Sequence, residues 1–273
     1  MIFTTNAEKG AVADKSKKET TKKQTLRRRL IGAAAILFWL AVWQVVSMAI
    51  GNDILLVSPI AVIKRLFELV VTADFWHSVG LSFIRIISGF LLALAAGLAL
   101  ALLASFSSVI KQLLAPLMTA IKTVPVASFI ILVLIWFPSK RLSTVISFLM
   151  VLPIIYTNTL SAIASLRPDL DEMAAVFRIP PLRRLRCVCL PQVMPGFLTG
   201  CELSLGLCWK SGIAAEVIGI PKHSIGEALQ QAKIYLDTPD LFAWTVVIVA
   251  VSALFAKLFM SAMRLLEKRI TRV

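Results

Sequence analysis

Charge is scarce in this 273-residue chain. Only 16% of its residues are Asp, Glu, Lys or Arg, against about a quarter in soluble domains. With 58% hydrophobic residues and a mean hydropathy of +0.85, a water-soluble globular domain is excluded. Histidine occurs only as His77 and His223, and cysteine only as Cys187, Cys189, Cys201 and Cys208. None of the cysteines forms a CxxC pair, so this spacing builds no zinc site and the four read as free thiols. The motifs GxxxxGK[ST], HExxH and GxSxG are absent. Nucleotide hydrolysis, zinc-peptidase chemistry and serine-hydrolase chemistry therefore have no motif here. No metal or cofactor is expected in this chain.

Long apolar runs are what the sequence does have. A helix needs about 20 apolar residues to cross a bilayer. Six stretches approach or exceed that length: Leu30 to Ile50, Leu81 to Ser105, Leu113 to Phe137, Leu142 to Ile163, Pro195 to Gly219 and Leu241 to Met263. The expected fold is all-α, a polytopic membrane helix bundle of about six transmembrane helices. In the second stretch Gly89, Ala93, Gly97 and Ala101 recur every four residues, a seam of small residues that lets another helix come close. Pro116 and Pro125 interrupt the third; proline frees a carbonyl and kinks the rod. Ser58-Pro59 predicts an N-cap and an amphipathic helix to about Val71. Ser224 and Glu227 form an S-x-x-E capping box ahead of a helix from Ile225 to about Leu236.

The net charge of +14 does not point to nucleic acid, because no aromatic-interleaved basic face accompanies it. The cations flank the spans instead. With the N-terminus inside, 19 of the 29 Lys and Arg fall in inner segments, six in outer ones and four within spans. This bias places both termini in the cytoplasm. Residues 1–29 read as a disordered basic tail, followed by a retained anchor and a transmembrane domain over residues 30–273.

The segment 166–191 cannot sit in hydrocarbon. Leu166, Leu170, Met173, Ala174 and Phe177 define one apolar face of a short helix. Asp169, Asp171 and Glu172 suit the positive end of its dipole, and Pro180-Pro181 stop it. A basic run with Arg183, Arg184 and Arg186 leads to Leu190-Pro191.

This segment resembles the cytoplasmic loop of bacterial ABC-importer permeases, in which E-A-A is followed at fixed spacing by G, I and L-P. Glu172-Met173-Ala174, Arg178, Val188 and Leu190-Pro191 occupy those places. Arg178 departs from the glycine, which would allow a left-handed helix cap; arginine disfavours that geometry. Further likeness, to the nitrate/sulfonate/taurine type, lies in Ser58-Pro59, Ser82-Phe83-Ile84-Arg85 with Gly89-Phe90, Trp136-Phe137, the run Gly206 to Gly212 and Ala214-Ala215-Glu216. Pro138 stands where such permeases often carry glycine.

The resemblance implies a type I importer architecture. It implies a homodimer in the bacterial inner membrane, a cytoplasmic ATPase dimer that holds ATP and Mg, and an extracytoplasmic substrate-binding protein. It assigns ATPase coupling to 166–191, with Asp169, Glu172, Met173, Ala174, Phe177, Arg178, Leu190 and Pro191 as the candidate residues. Lys210 lies near the middle of the fifth span, where a charge costs about 2.5–3.5 kcal/mol. It is expected to face a partner or a wet path and to offer positive charge to a small anion. Lys122, Pro125 and Glu216 are the other translocation-path candidates. Two other classes stand beside this one. A membrane enzyme lacks a nucleophile–base pair, and an ion-coupled secondary transporter would place carboxylates at mid-membrane.

Overall fold

The computed structural model describes residues 30–32, 34–52 and 55–271. The expected basic tail, 1–29, lies outside the described residues. Eleven helices follow one another among the described residues, with no strand. The chain divides into two compact units, 1–63 and 64–273. The first holds the apolar helix α1 (Leu30–Ile50). Its foot is fastened locally, because Trp43 Nε1–H donates to the Val57 carbonyl and Ser47 Oγ–H to that of Leu56. Helix α2 (Pro59–Val70) begins where Ser58-Pro59 predicts, with Ser58 Oγ accepting from the Ala61 N–H.

In the second unit, α6 (Ser139–Ala164) is the axis, packed between α3 (Ala73–Phe106) and α9 (Leu190–Gly219). Small residues permit this. A Cβ on Gly89 would stand 2.3 Å from the Thr144 carbonyl oxygen of α6. All four residues of the Gly89–Ala101 seam are buried, as their spacing predicts. α11 (Thr238–Thr271) is held by aromatic contacts, with Phe90 of α3 edge-on to Phe259 at 5.1 Å and Phe83 edge-on to Phe255 at 5.6 Å. Arg65 of α2 reaches Asp240 at its N-terminal end at 2.6 Å.

The third span differs from the single interrupted rod expected. It is two helices, α4 (Ser108–Thr123) and α5 (Val126–Trp136), bent by 107°. Pro125 is the cause, since the residue before a proline avoids the helical region, and Val124 is extended at ψ 132°. Pro116 leaves α4 continuous. Four of the described helices, α1, α3, α6 and α11, are long and apolar enough to cross a membrane alone, and the bent pair counts as a fifth where its two halves form one span. α9 is long enough but carries Glu202, Lys210 and Glu216. Four to five of the described helices are thus apolar enough to span, close to the expected six.

Three short elements connect α6 to α9: α7 (Pro168–Val176), α8 (Pro181–Arg184) and a π-helical turn, Leu185–Cys189. Between α9 and α11 lies α10 (Ile225–Ile234).

Candidate functional site

The α6–α9 connection carries the largest group of site residues expected from the sequence. α7 starts at a proline, which needs no hydrogen-bond acceptor in the first turn. Asp169 in that turn takes both the Nε–H and the Nη2–H of Arg167 in a fork. Arg167 thereby holds the Asp169 carboxyl below the usual carboxylate range. Both groups are exposed.

The end of α7 is a Schellman cap. The Arg178 N–H donates to the Ala175 carbonyl and the Ile179 N–H to that of Ala174, both at 3.0 Å. Arg178 adopts φ +49°. The left-handed geometry that arginine disfavours is therefore present at the glycine position of the loop pattern, because two backbone hydrogen bonds hold it. A residue with a Cβ is disfavoured there by about 1 kcal/mol or more. Arg178→Gly should stabilise the cap by about 1 kcal/mol and slow amide exchange at Ile179 roughly five-fold, read by hydrogen–deuterium exchange. Unchanged exchange would mean that the turn is not strained.

The expected apolar face of α7 splits in two. Ala174 is fully buried, whereas Met173 is 42% and Phe177 74% exposed. Ala174 packs inward with half-buried Leu170, while Met173, Phe177 and Val176, 79% exposed, point away from the rest of the chain. Phe177 is the cap residue, and its ψ of 4° turns the chain that follows out of the helix. Ala174 is thus a packing residue of the loop and not part of its outer surface. Glu172 and Arg178 are exposed beside the outward residues. Leu190 and Pro191 are half-buried at the head of α9, away from that surface.

The path candidates do not share one environment. Lys210 is exposed and continues a row with Glu202 and Gly206, one turn apart. That row is the open face of an otherwise enclosed helix. Glu202 and Gly206, but not Lys210, line a groove of about 480 Å³ against α11, where Lys257 and Arg264 stand. Lys122, also exposed, donates from Nζ to Thr157 Oγ1 at 3.1 Å, and Pro125 sits at the 107° bend beside it. Glu216 corrects the expectation, since none of its surface is exposed. Its Oε2 accepts from Ser82 Oγ–H at 2.6 Å and from the Gly226 N–H at 3.3 Å, while Arg85 Nη1 lies 3.7 Å from Oε1. Ser82 Oγ accepts in turn from the Ile225 N–H. This knot fastens α3, α9 and the N-terminus of α10. Its members Ser82 and Gly226 are not marked by spacing, because they meet only through the tertiary fold.

The capping box of α10 forms in altered shape. Ser224 Oγ accepts the Glu227 N–H at 3.0 Å, and the Glu227 carboxylate takes the N–H of His223 rather than that of Ser224. His223 is left-handed, φ +53°, which moves its amide into reach.

The comparisons with known proteins agree with this architecture. The family model described as "Binding-protein-dependent transport system inner membrane component" matches residues 89–272, more than half of the chain. The putative aliphatic sulfonates transport permease of Bacillus subtilis is 27% identical over 97% of this chain and 96% of its own length. The nitrate import permease of Leptolyngbya laminosa is 26% identical, covering 71% and 72%, and the taurine transport system permease of Escherichia coli is 25% identical, covering 88% of each. Among solved structures, an amino acid ABC transporter with histidines superposes with a TM-score of 0.50 at 20% identity, over 70% of this chain and 90% of that one. That likeness speaks to the fold alone. An enclosed helix bundle, a capped loop helix at the E-A-A position and a family match across that loop and the helices on both sides of it lead to one assignment: the chain belongs to the binding-protein-dependent transport system inner membrane components, as an ABC-importer permease of the nitrate/sulfonate/taurine type.

Proposed function

We propose that two copies of this chain form the membrane pathway of an importer in the bacterial inner membrane. Both termini and α7 lie on the cytoplasmic side, where an ATPase dimer holds ATP and Mg. A binding protein delivers the solute from outside, and this chain performs no catalysis itself. The observation that carries the reading is the outward Met173, Val176 and Phe177 beside the charged Glu172 and Arg178. An exposed apolar cluster rimmed by charge suits protein docking: the apolar part supplies affinity and the charges fix register. The test is co-purification with a candidate ATPase chain. A stable complex whose ATP hydrolysis rises with the cognate binding protein supports the reading, and the absence of any complex refutes it.

The solute is proposed to be a small anion, as the names of the three relatives suggest for those proteins. Lys210 supports this, because a cation exposed on a span avoids lipid and faces a partner copy or water. Glu216 is enclosed within a hydrogen-bonded knot, which argues against the ion-coupled alternative that would need a mobile carboxylate. Lys210→Met should leave assembly and basal ATP hydrolysis intact and reduce uptake of an anionic solute at least about five-fold, while Lys210→Arg keeps part of it. Normal uptake by Lys210→Met, or failure to assemble, would make Lys210 a packing residue.

A further inference from the structure

Gln192 makes two hydrogen bonds that no motif in the sequence announces. Its Oε1 accepts the N–H of Arg167 at 3.1 Å, and its Nε2–H donates to the carbonyl of Val188 at 2.8 Å. Arg167 is the N-cap residue of α7, and Val188 lies in the π-turn below α9. One side chain near the start of α9 therefore grips the beginning of the loop helix and the turn that ends the loop.

The turn itself has a chemical cause. Pro191 has no N–H to offer the Cys187 carbonyl four residues earlier, and its ring crowds that oxygen. The backbone widens, and the Leu190 N–H reaches the Leu185 carbonyl five residues back. Pro195 repeats the defect one turn later by leaving the Pro191 carbonyl without its donor. A π-turn followed by two such gaps makes the head of α9 easier to bend, since a missing ladder bond lowers the cost of bending. A stiff lever mounted on a soft foot would lose its motion there unless something bridged the foot.

We infer that Gln192 is the positioning residue that makes α7 and the foot of α9 move as one piece. This rests on the coupling reading above. Displacement of α7 pulls on the Arg167 amide, Gln192 passes that pull to α9, and its second bond keeps the π-turn from stretching. The L-P pair then has a physical role: it creates the hinge that Gln192 spans.

The test uses spin labels at Ala175 on α7 and Thr199 on α9, both exposed, with Cys187 and Cys189 replaced by serine. In the full-length permease the label-to-label distance distribution should be narrow. In Gln192→Met, which loses both bonds, it should broaden about two-fold. Gln192→Glu keeps an oxygen for the Arg167 amide but loses the donor to the Val188 carbonyl, so its width should fall between the two. A Gln192→Met distribution as narrow as the parent, or a Gln192→Glu distribution as broad as Gln192→Met, overturns the inference. In the complex with the ATPase chain, ATP plus vanadate should move both labels together in the parent and uncouple them in Gln192→Met. A parent that gives no ATP response refutes the coupling reading, while the width comparison in the permease alone still decides the tether.

Discussion

Gly226→Ala should cost this protein its α9–α10 corner. The α10 backbone passes so close to α9 that an added Cβ would stand 2.3 Å from Glu216 Cβ, 2.4 Å from the Glu216 carbonyl carbon and 2.5 Å from the Val217 nitrogen. Two of those atoms are backbone in the last turns of α9 and cannot swing aside. Relief requires α10 to lift, which breaks the Gly226 N–H bond to Glu216 and the Ile225 N–H bond to Ser82. The buried Glu216 side chain would then lose a hydrogen-bond partner, and leaving a buried polar group under-satisfied costs about 1–3 kcal/mol. Overpacking alone costs about 1–3 kcal/mol. Detergent-solubilised Gly226→Ala should therefore melt far below the parent or elute as aggregate in size-exclusion chromatography. Gly80→Ala is the control, because a Cβ there meets nothing within 4 Å. If both variants melt alike, the knot contributes no measurable stability.

Phe177→Ala should weaken binding of the ATPase chain at least about 30-fold, since truncating a buried aromatic anchor at an interface costs 2 kcal/mol or more. Phe177 is 74% exposed in the free chain and Val176 79%, so neither holds the permease together. The melting temperature of Phe177→Ala should stay at the parent value. Ala174→Asp should behave in the opposite way: Ala174 is fully buried, and a carboxylate there would open the loop before any partner arrives. Affinity measured with purified ATPase, beside melting of the permease alone, separates the two. Parent-like affinity in Phe177→Ala would move the docking surface elsewhere.

Some of this was already legible in the order of residues. Apolar runs long enough to span a bilayer must become helices there, because no other local structure satisfies the backbone in hydrocarbon. The Gly89–Ala101 spacing marked a close helix contact, and the placement of Glu172 and Leu190-Pro191 marked the loop. These signals are local, set by periodicity and by side-chain volume along one helix. Four features did not show in the periodicity, and only the last of them depends on residues distant in sequence. Ala174 is buried and Phe177 exposed, a split that the apolar spacing of α7 does not show. Arg178 is left-handed because two backbone hydrogen bonds outweigh its steric preference. The third span folds back by 107° because Val124 and Pro125 break the ladder together. Glu216 is enclosed within the chain because Ser82 and Arg85, more than a hundred residues away, converge on it. A charge in a membrane helix announces that it needs a partner; only the packing of α3, α9 and α10 decides that the partner lies within the chain for Glu216 and that Lys210 is left on the open face.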